Sequence, residues 1–200
     1  YVSEVIAEAL SMAESNACMR RIVAAPTAGA CGVLPAVLLP LCKYDELAQH
    51  QLLEALYVAA GIGAVIAFRA SIAGASGGCQ AEIGVASAMA ASAAVELMGG
   101  SPEQCLDAAS TVLMNMLGLV CDPVGGLVEY PCQNRNAAGV ANALVAAELS
   151  LAGIRQFIPF DEMLDTMYAV GRRIPLELRE TALGGCAATP SACEKCGLCS

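Results

Sequence analysis

Charged residues are scarce in this chain, and tryptophan is absent. Only 14% of the 200 residues are charged whereas 57% are hydrophobic, which raises the question of a membrane location. The longest charge-free run, 22–42, contains Pro26, Pro35 and Pro40 and cannot form one continuous spanning helix. The charge-free run 55–68 is too short to cross a bilayer. The composition therefore predicts a soluble domain with a large buried core and no membrane partner.

Basic residues are also few. The 10 Lys and Arg against 19 Asp and Glu leave a net charge of −9, which argues against nucleic acid or an anionic membrane surface as a partner. The first residues lack both the basic region of a secretory signal and an initiator Met, so we expect a fragment or a processed form. The 11 cysteines do not fit a small disulfide-rich scaffold, because such scaffolds are shorter and richer in loops. A reducing cytoplasm is the expected location.

No stretch shows the alternation of apolar and polar residues that is typical of a β-strand. Apolar residues recur at helical spacing, and many are alanines interleaved with Gly and Ser, which suits helices packed at close range. Ser101 begins a capping box with proline at the first helical position, and Asp45 and Asp161 are candidate N-caps. We predict an all-α fold: a single compact helical domain over residues 1–185 and a Cys-rich tail over 186–200. The predicted helices are 2–20, 33–41, 45–70, 80–98, 101–116, 134–151 and 161–173.

Three cysteines, Cys79, Cys121 and Cys132, each stand where glycine or proline interrupts regular structure. Small neighbours let a bulky group approach the backbone there, and thiolates on convergent loops bind soft metals and iron–sulfur clusters. A single free cysteine is more often a small buried hydrophobe. Three in the same kind of setting, two of them beside a carboxylate or an arginine, favour a metal site.

Polar groups near these cysteines are candidates for contact with a substrate. The loop 26–32 precedes a helix and presents backbone N–H groups to a carboxylate, although a plain tight turn has the same pattern. Glu82 lies three residues after Cys79 and either acts on a substrate or stabilises the start of its helix. Arg135 stands at a helix start, where the dipole disfavours a cation, which indicates an anion nearby. The single histidine, His50, is predicted to lie mid-helix and solvated, and it is not expected to be a base.

Five ordered blocks of sequence carry a resemblance to a known family. The chain resembles the alpha chain of the iron–sulfur L-serine dehydratases from about residue 14 to residue 190. The resemblance implies an oxygen-sensitive enzyme of amino-acid catabolism that converts L-serine into pyruvate and ammonia with a [4Fe–4S] cluster. The matching blocks are 25–32, 77–82, 118–129, 131–136 and 178–185.

The residue patterns and the resemblance together give expected roles for individual residues. The expected cluster ligands are Cys79, Cys121 and Cys132, and the position of Cys199 in the tail makes it the expected fourth ligand. The expected catalytic residues are Glu82 and Arg135. The expected substrate-binding residues are Pro26, Thr27, Ala28, Gly29, Arg135 and Asn136. A separate beta subunit or beta domain, which this sequence lacks, and an oligomeric assembly are the expected partners, and the missing catalytic base is assigned to that second chain.

Three other activities are weighed against this one. Pyridoxal phosphate chemistry is disfavoured because the only lysines, Lys43 and Lys195, follow neither a strand nor a phosphate-binding turn. Desulfidation of cysteine by the same cluster is an alternative reaction. A non-enzymatic electron-transfer or metal-storage module is a third possibility, which requires neither Arg135 nor the loop 26–32.

The tail allows two interpretations. Its last three cysteines are spaced as Cys-x-x-Cys-x-x-Cys, which is typical of iron–sulfur or zinc ligands. In the first interpretation Cys199 reaches into the site as a fourth ligand that serine displaces. In the second, the tail cysteines build a separate metal site. The four tail cysteines are Cys186, Cys193, Cys196 and Cys199.

Overall fold

The computed structural model describes residues 1–196 and confirms the all-α prediction, because the regular structure of that range is helical. Its β-type pairing is limited to one isolated bridge between Cys121 and Arg179. The α-helices are α1 (Val2–Ala17), α2 (Val33–Tyr44), α3 (Gln49–Arg69), α4 (Gly74–Gly77), α5 (Ile83–Leu97), α6 (Pro102–Asn115), α7 (Cys132–Leu151), α8 (Phe160–Gly171) and α9 (Pro190–Cys196). Short 3₁₀ turns cover Ala28–Ala30, Cys79–Ala81, Val124–Gly126, Leu176–Leu178 and Gly185–Ala188.

Helix α5 lies at the centre of the fold, and every one of its residues except Glu96 is buried. It packs against α2, α3, α6 and α7. Small residues make this close packing possible: a Cβ added to Gly139 of α7 would lie 2.7 Å from Ser87 Oγ, and one added to Gly63 of α3 would lie 2.9 Å from Met89 Sδ. The alanine-rich composition therefore reflects a helix that is surrounded on all sides.

The capping box predicted at Ser101 is confirmed. Ser101 Oγ accepts a hydrogen bond from the Gln104 N–H at 3.3 Å, and Gln104 Oε1 accepts one from the Ser101 N–H at 2.9 Å. Two backbone donors at the start of α6 are thereby satisfied by local side chains.

The two predicted aspartate caps are wrong. Asp45 follows the end of α2, where Glu46 adopts a positive φ of 51° and interrupts the helix, and α3 begins only at Gln49. Asp161 lies inside the first turn of α8, whose N-cap position is occupied by Pro159. In both cases the chain direction is set by tertiary packing, which overrides the local preference.

Helix α3 packs one face against α5 and α8 and exposes the other. Its most apolar 18-residue window has a mean hydropathy of 1.8, and 22% of that window is buried. By length and composition the 21-residue helix could cross a membrane. The expectation that this apolar segment is too short to span was wrong, because the helix extends beyond the charge-free run at both ends. Length and composition do not distinguish a membrane span from a helix packed in a folded domain, and α3 is packed along one side.

The starts of three helices meet and form the framework of the site. Asn136, in the first turns of α7, donates a hydrogen bond to the Gly29 carbonyl and accepts one from the Gly32 N–H at the start of α2. A Cβ placed on Gly29 would lie 3.7 Å from the carboxylate of Glu82, which precedes α5. The loop 26–32 is thus held between α5 and α7.

Candidate metal and substrate site

Two of the predicted cysteines and the predicted glutamate converge in the interior. One ligand atom each of Cys79, Glu82 and Cys121 lies within 4.8 Å of the others, and the two thiols are buried. We call these three residues the thiol–carboxylate group. Cys121 Sγ lies 4.0 Å from Glu82 Oε2. The sequence-based prediction that these segments converge is therefore supported by their positions in the fold.

Cys132 lies beside this group at the start of α7. It is buried, and its thiol interacts electrostatically with Cys79 and Glu82. Burial, together with the neighbouring charges of Cys79 and Glu82, raises the pKa of Cys132 to about 12. The third predicted ligand therefore lies near Cys79 and Glu82, although it is not part of the tight thiol–carboxylate group.

The turn that carries Cys79 is fixed by its neighbours. Gly78 has φ 77°, and a Cβ there would lie 2.7 Å from the Leu119 carbonyl oxygen. Gln80, the residue after Cys79, is buried and donates its side-chain N–H to the Met167 carbonyl at 2.8 Å. Its side-chain oxygen accepts a hydrogen bond from the Gly118 N–H, also at 2.8 Å. Gln80 thus joins the turn to α8 and to the loop that leads to Cys121.

The loop of Cys121 is completed by a segment far along the chain. The Cys121 N–H donates to the Leu178 carbonyl at 2.9 Å, and the Glu180 N–H donates to the Cys121 carbonyl at 2.6 Å. The sequence block 178–185, which contributed to the resemblance, is therefore in direct contact with a candidate ligand.

Arg135 is anchored close to the thiols. Its Nη1 donates to the Val120 carbonyl at 2.9 Å and forms an ion pair with Asp122 Oδ1 at 2.7 Å, and both side chains are largely buried. Although burial opposes it, the charges of Cys79 and Asp122 raise the pKa of Arg135. The anion expected beside this helix-start arginine is thus supplied by Asp122 and by the Cys79 thiol.

Asp122 is a functional neighbour that sequence reasoning missed. Its Oδ2 accepts a hydrogen bond from the Cys186 N–H at 2.6 Å while Oδ1 faces Arg135. Burial would raise the pKa of Asp122, but the Cys186 N–H and Arg135 hold that pKa below its usual value. The signal that could have identified it is its position directly after Cys121 in the block 118–129. Its partners lie in distant segments that no local pattern reveals.

The two closest thiols have unequal proton affinities. A hydrogen bond from Cys121 and the charge of Arg135 lower the pKa of Cys79, although burial acts in the opposite direction. The same contact with Cys79, together with burial, raises the pKa of Cys121. The arrangement therefore favours a thiolate at Cys79, the protonation state in which sulfur binds a metal.

Glu82 faces the thiols and does not cap its helix. It occupies the N-cap position of α5 but makes no side-chain capping hydrogen bond. Burial raises the pKa of Glu82, the nearby Thr27 hydroxyl lowers it, and the charge of Glu180 raises it further. A Cβ on Gly74 would lie 2.9 Å from Glu82 Oε2 and 2.8 Å from Cys121 Sγ, so only glycine leaves room for both groups.

The loop 26–32 offers donors next to Glu82. Thr27 Oγ1 is buried and faces the Glu82 carboxyl, whose pKa it lowers. Ala28 and Gly29 begin a 3₁₀ turn, whose first N–H groups have no partner inside the turn. The predicted substrate-binding loop thus combines a buried hydroxyl with backbone donors at one edge of the site.

Asn136, also predicted to bind substrate, is occupied by hydrogen bonds within the protein. Its amide nitrogen donates to the carbonyls of Gly29 and Cys132 at 2.8 and 2.9 Å, and its oxygen accepts from the Gly32 N–H at 3.0 Å. The side chain is fully buried. Its observed contacts hold the loop in place.

The beginning of the tail borders the site. A cavity of about 470 Å³ lies between the loop after Cys121 and helix α9. In the part of the tail that is described, Cys186, Cys193 and Cys196 do not come within 4.8 Å of one another as a group. Cys199, the predicted fourth ligand, lies outside the described residues. The cavity is lined by Val124, Tyr130, Cys186, Thr189, Ser191, Ala192 and Lys195.

Fold and site together define an all-α domain with a buried group of thiols and a carboxylate, bordered by an arginine and by a loop rich in backbone donors. The family described as serine dehydratase alpha chain matches residues 2–187. The chain belongs to this family.

Named relatives agree with the family assignment. The chain is 50% identical over 190 residues to a probable L-serine dehydratase alpha chain of Bacillus subtilis, covering 95% of this chain and 63% of the relative. It is 50% identical over 187 residues to the L-serine dehydratase alpha chain of Peptoniphilus asaccharolyticus, covering 94% and 64%. It is 43% identical over 181 residues to the L-serine dehydratase TdcG of Escherichia coli, covering 90% and 40%. The chain thus spans less than two thirds of the length of these relatives.

Proposed function

We propose that this chain supplies the catalytic part of an L-serine dehydratase, a lyase that converts L-serine into pyruvate and ammonia with a [4Fe–4S] cluster. The observation that carries the proposal is the buried thiol–carboxylate group with Cys132 beside it. The names of the relatives support serine as the substrate. The same names support a beta chain or beta domain as partner, and an oxygen-sensitive cluster fits a cytoplasmic location.

The residues present fit a cluster. Three buried cysteines on separate segments provide the soft ligands that iron–sulfur clusters require, and Arg135 offsets their negative charge. When bound, a cluster with one open iron supplies a Lewis acid toward the serine hydroxyl. We propose Cys79, Cys121 and Cys132 as ligands, with Cys199 as the fourth ligand in the absence of substrate.

The substrate carboxylate is proposed to bind at the loop 26–32. Pro26, Thr27, Ala28 and Gly29 place a hydroxyl and free backbone N–H groups beside Glu82, and these donors suit a carboxylate. Asn136 holds the loop in this conformation through three hydrogen bonds. Arg135 already contacts the Val120 carbonyl, Asp122 and the Cys79 thiol. We propose that an N–H group of its guanidinium not used in these contacts donates to the substrate carboxylate.

Glu82 is proposed to move a proton during the elimination. The overall change removes the α-proton of serine and releases its hydroxyl as water, giving an enamine that tautomerises and hydrolyses to pyruvate and ammonia. Because burial raises its pKa, the Glu82 carboxyl holds a proton more readily than an exposed carboxyl does. It can therefore deliver that proton to the departing hydroxyl. The base that takes the α-proton is proposed to come from the partner chain.

Substrate assays test the activity. Cluster-loaded chain, handled anaerobically with and without its beta partner, is incubated separately with serine, cysteine and threonine. We expect pyruvate from serine with the beta partner present. Sulfide release from cysteine in preference to pyruvate from serine would favour the desulfidase alternative, and no turnover of any of the three would favour a non-enzymatic metal-binding module.

Single Cys→Ser variants test the ligands. Cys79→Ser, Cys121→Ser and Cys132→Ser should each lose the visible absorbance of the cluster, because a hydroxyl is a poor ligand for the soft iron–sulfur centre. Cys31→Ser is the matched control: Cys31 is also buried, but its thiol faces the Met12 carbonyl. The control should retain full iron and sulfide. Full iron and sulfide in all three ligand variants would contradict the assignment.

A further inference from the structure

Helix α3 presents an apolar surface that no residue within 1–196 covers. Phe68 is 92% exposed and Tyr57 is 77% exposed, which is unusual for large aromatic side chains in a folded domain. The surface also contains small exposed residues halfway along the helix. We call it the α3 stripe: Leu53, Tyr57, Ala60, Gly61, Ala64 and Phe68.

The residues of the α3 stripe are arranged symmetrically. With the midpoint between Ala60 and Gly61 as the centre, Leu53 and Phe68 lie equally far from it on opposite sides, and so do Tyr57 and Ala64. At about 100° per residue all six side chains project within one half of the helix surface. A surface with this pattern can be complementary to itself when two copies meet about a two-fold axis.

We infer that the α3 stripe binds the α3 stripe of a second copy of this chain, with the two helices antiparallel and crossing at Ala60 and Gly61. Each Tyr57 then lies opposite Ala64 of the other copy, and each Phe68 lies opposite Leu53. Large residues thus face smaller ones at both ends of the contact. In the middle, small residues face small residues, so the two helix backbones approach closely.

Gly61 allows the two helices to approach closely where they cross. A Cβ built on Gly61 would meet no atom within 4 Å, so no contact inside the chain requires a glycine there. Gly63, on the opposite side of the same helix, is different, because its Cβ would meet Met89. A glycine within an exposed helix lowers helix stability by about 0.5–1 kcal/mol relative to alanine, so its presence needs another explanation. Close approach of a second helix provides one.

Charge and area both favour a second copy as the occupant. Glu54 is the only charged residue between Leu53 and Phe68. In the antiparallel pair the two Glu54 residues lie ~20 Å apart along the helix axis. This distance exceeds the screening length of ~8 Å at physiological salt. Two chains of net charge −9 can therefore meet here without close repulsion. The two aromatic and the neighbouring aliphatic side chains expose several hundred Å², on the order of the ~800 Å² per partner of a standard interface.

Sedimentation of the 200-residue chain over a range of concentrations tests the inference. We expect a dimer whose dissociation constant rises at least ~30-fold in Gly61→Leu, which fills the crossing, and in Val65→Lys. Val65 is exposed and directly follows Ala64, so the lysine places a charge at the edge of the α3 stripe. Gly61→Leu has space inside its own chain and should raise helix propensity, so loss of the dimer cannot be attributed to unfolding. A monomer at every concentration, or a dimer that both variants leave intact, would overturn the inference.

Val145→Lys is the matched control. Val145 and Val65 are both exposed valines inside helices, at 53% and 42%, but Val145 lies on α7. The dissociation constant of the Val145→Lys dimer should stay within about twofold of that of the unsubstituted chain, because an exposed substitution outside the interface has little effect.

Photo-cross-linking distinguishes the possible occupants. Benzoylphenylalanine placed at position 57 should cross-link to the segment around residue 64 of a second copy, and the mass of the joined peptides identifies it. Cross-links to an added beta chain in place of the second copy would overturn the inference. Flotation of the chain with phosphatidylcholine vesicles would also overturn the inference if Val65→Lys abolished that flotation and Val145→Lys preserved it.

Discussion

At the scale of single residues, the site is built as much by glycines and carbonyl contacts as by the groups that carry chemistry. Cys79 and Cys121 stand out in the sequence because glycine and proline mark their positions, and Glu82 stands out because it follows Cys79 by three residues. Asp122 and Gln80 could not be assigned in the same way. Their partners include two backbone N–H groups and one backbone carbonyl from segments about 40 to 90 positions away, which leave no local pattern.

Gly74 is the position where the space around the site can be tested directly. The added methyl group in Gly74→Ala meets both Cys121 Sγ and Glu82 Oε2 below 3.0 Å, so one of these groups must move. We expect cluster content and serine turnover to fall at least tenfold, since displacement of a reacting group by about 1 Å has large effects on rate.

Gly84→Ala provides the control for that substitution. Its Cβ would meet Met116 at an ordinary 3.7 Å, and it lies in α5, near the same site. Iron content measured beside the melting temperature separates a local effect from a general one. Equal iron content in the two variants would contradict the crowding argument.

At the scale of helices and loops, the starts of α2 and α7 are joined by the Asn136 side chain, which satisfies backbone groups of both. Helix ends with complete local signals, such as Ser101 at α6, are predictable from sequence. The start of α3 is not, because the break after α2 depends on the positive φ of Glu46. Asn136 belongs to the same category: two of its three hydrogen bonds join segments more than 100 positions apart.

Asn136→Ala should loosen the loop 26–32. The change leaves the Gly32 N–H and the Gly29 carbonyl without partners in the interior, which costs about 1–3 kcal/mol for each group left unsatisfied. We expect a lower melting temperature, by about 2–4 °C for each kcal/mol lost. The KM for serine should rise because the loop donors are no longer fixed.

Asn142→Ala, a substitution on the same helix, is the control for Asn136→Ala. Its oxygen accepts a single hydrogen bond from the Asn115 amide at an exposed position. Stability should change by less than about 0.5 kcal/mol. If the two variants show equal melting temperatures and equal KM values, Asn136 does not hold the loop as described.

At the scale of the whole molecule, the single all-α domain could be predicted from helical periodicity and the absence of strand alternation. The relative positions of the helices could not, because α5 is apolar on all sides and its sequence therefore does not indicate which neighbour packs where. The position of the tail also belongs to this scale. Cys186 is tied to Asp122 through its backbone, and this contact places the start of the tail at the edge of the site.

Deletion of residues 191–200 tests the role of the tail. If Cys199 is a fourth ligand that substrate displaces, the truncated chain should keep one cluster, become more sensitive to oxygen and bind serine more tightly. Iron content, the rate of bleaching in air and serine affinity provide the measurements. Loss of a whole metal equivalent with unchanged serine affinity would instead indicate a separate metal site in the tail.

The complete burial of α5 has a consequence for how the molecule opens. A helix enclosed by α2, α3, α6 and α7 cannot expose its amides unless those neighbours separate. Hydrogen–deuterium exchange in α5 should therefore proceed only through global unfolding, whereas α9, which is short and has one buried residue, should exchange through local opening. Because the turn of Cys79 and Glu82 continues directly into α5, the ligand-bearing segment shares the slowest-exchanging unit of the protein.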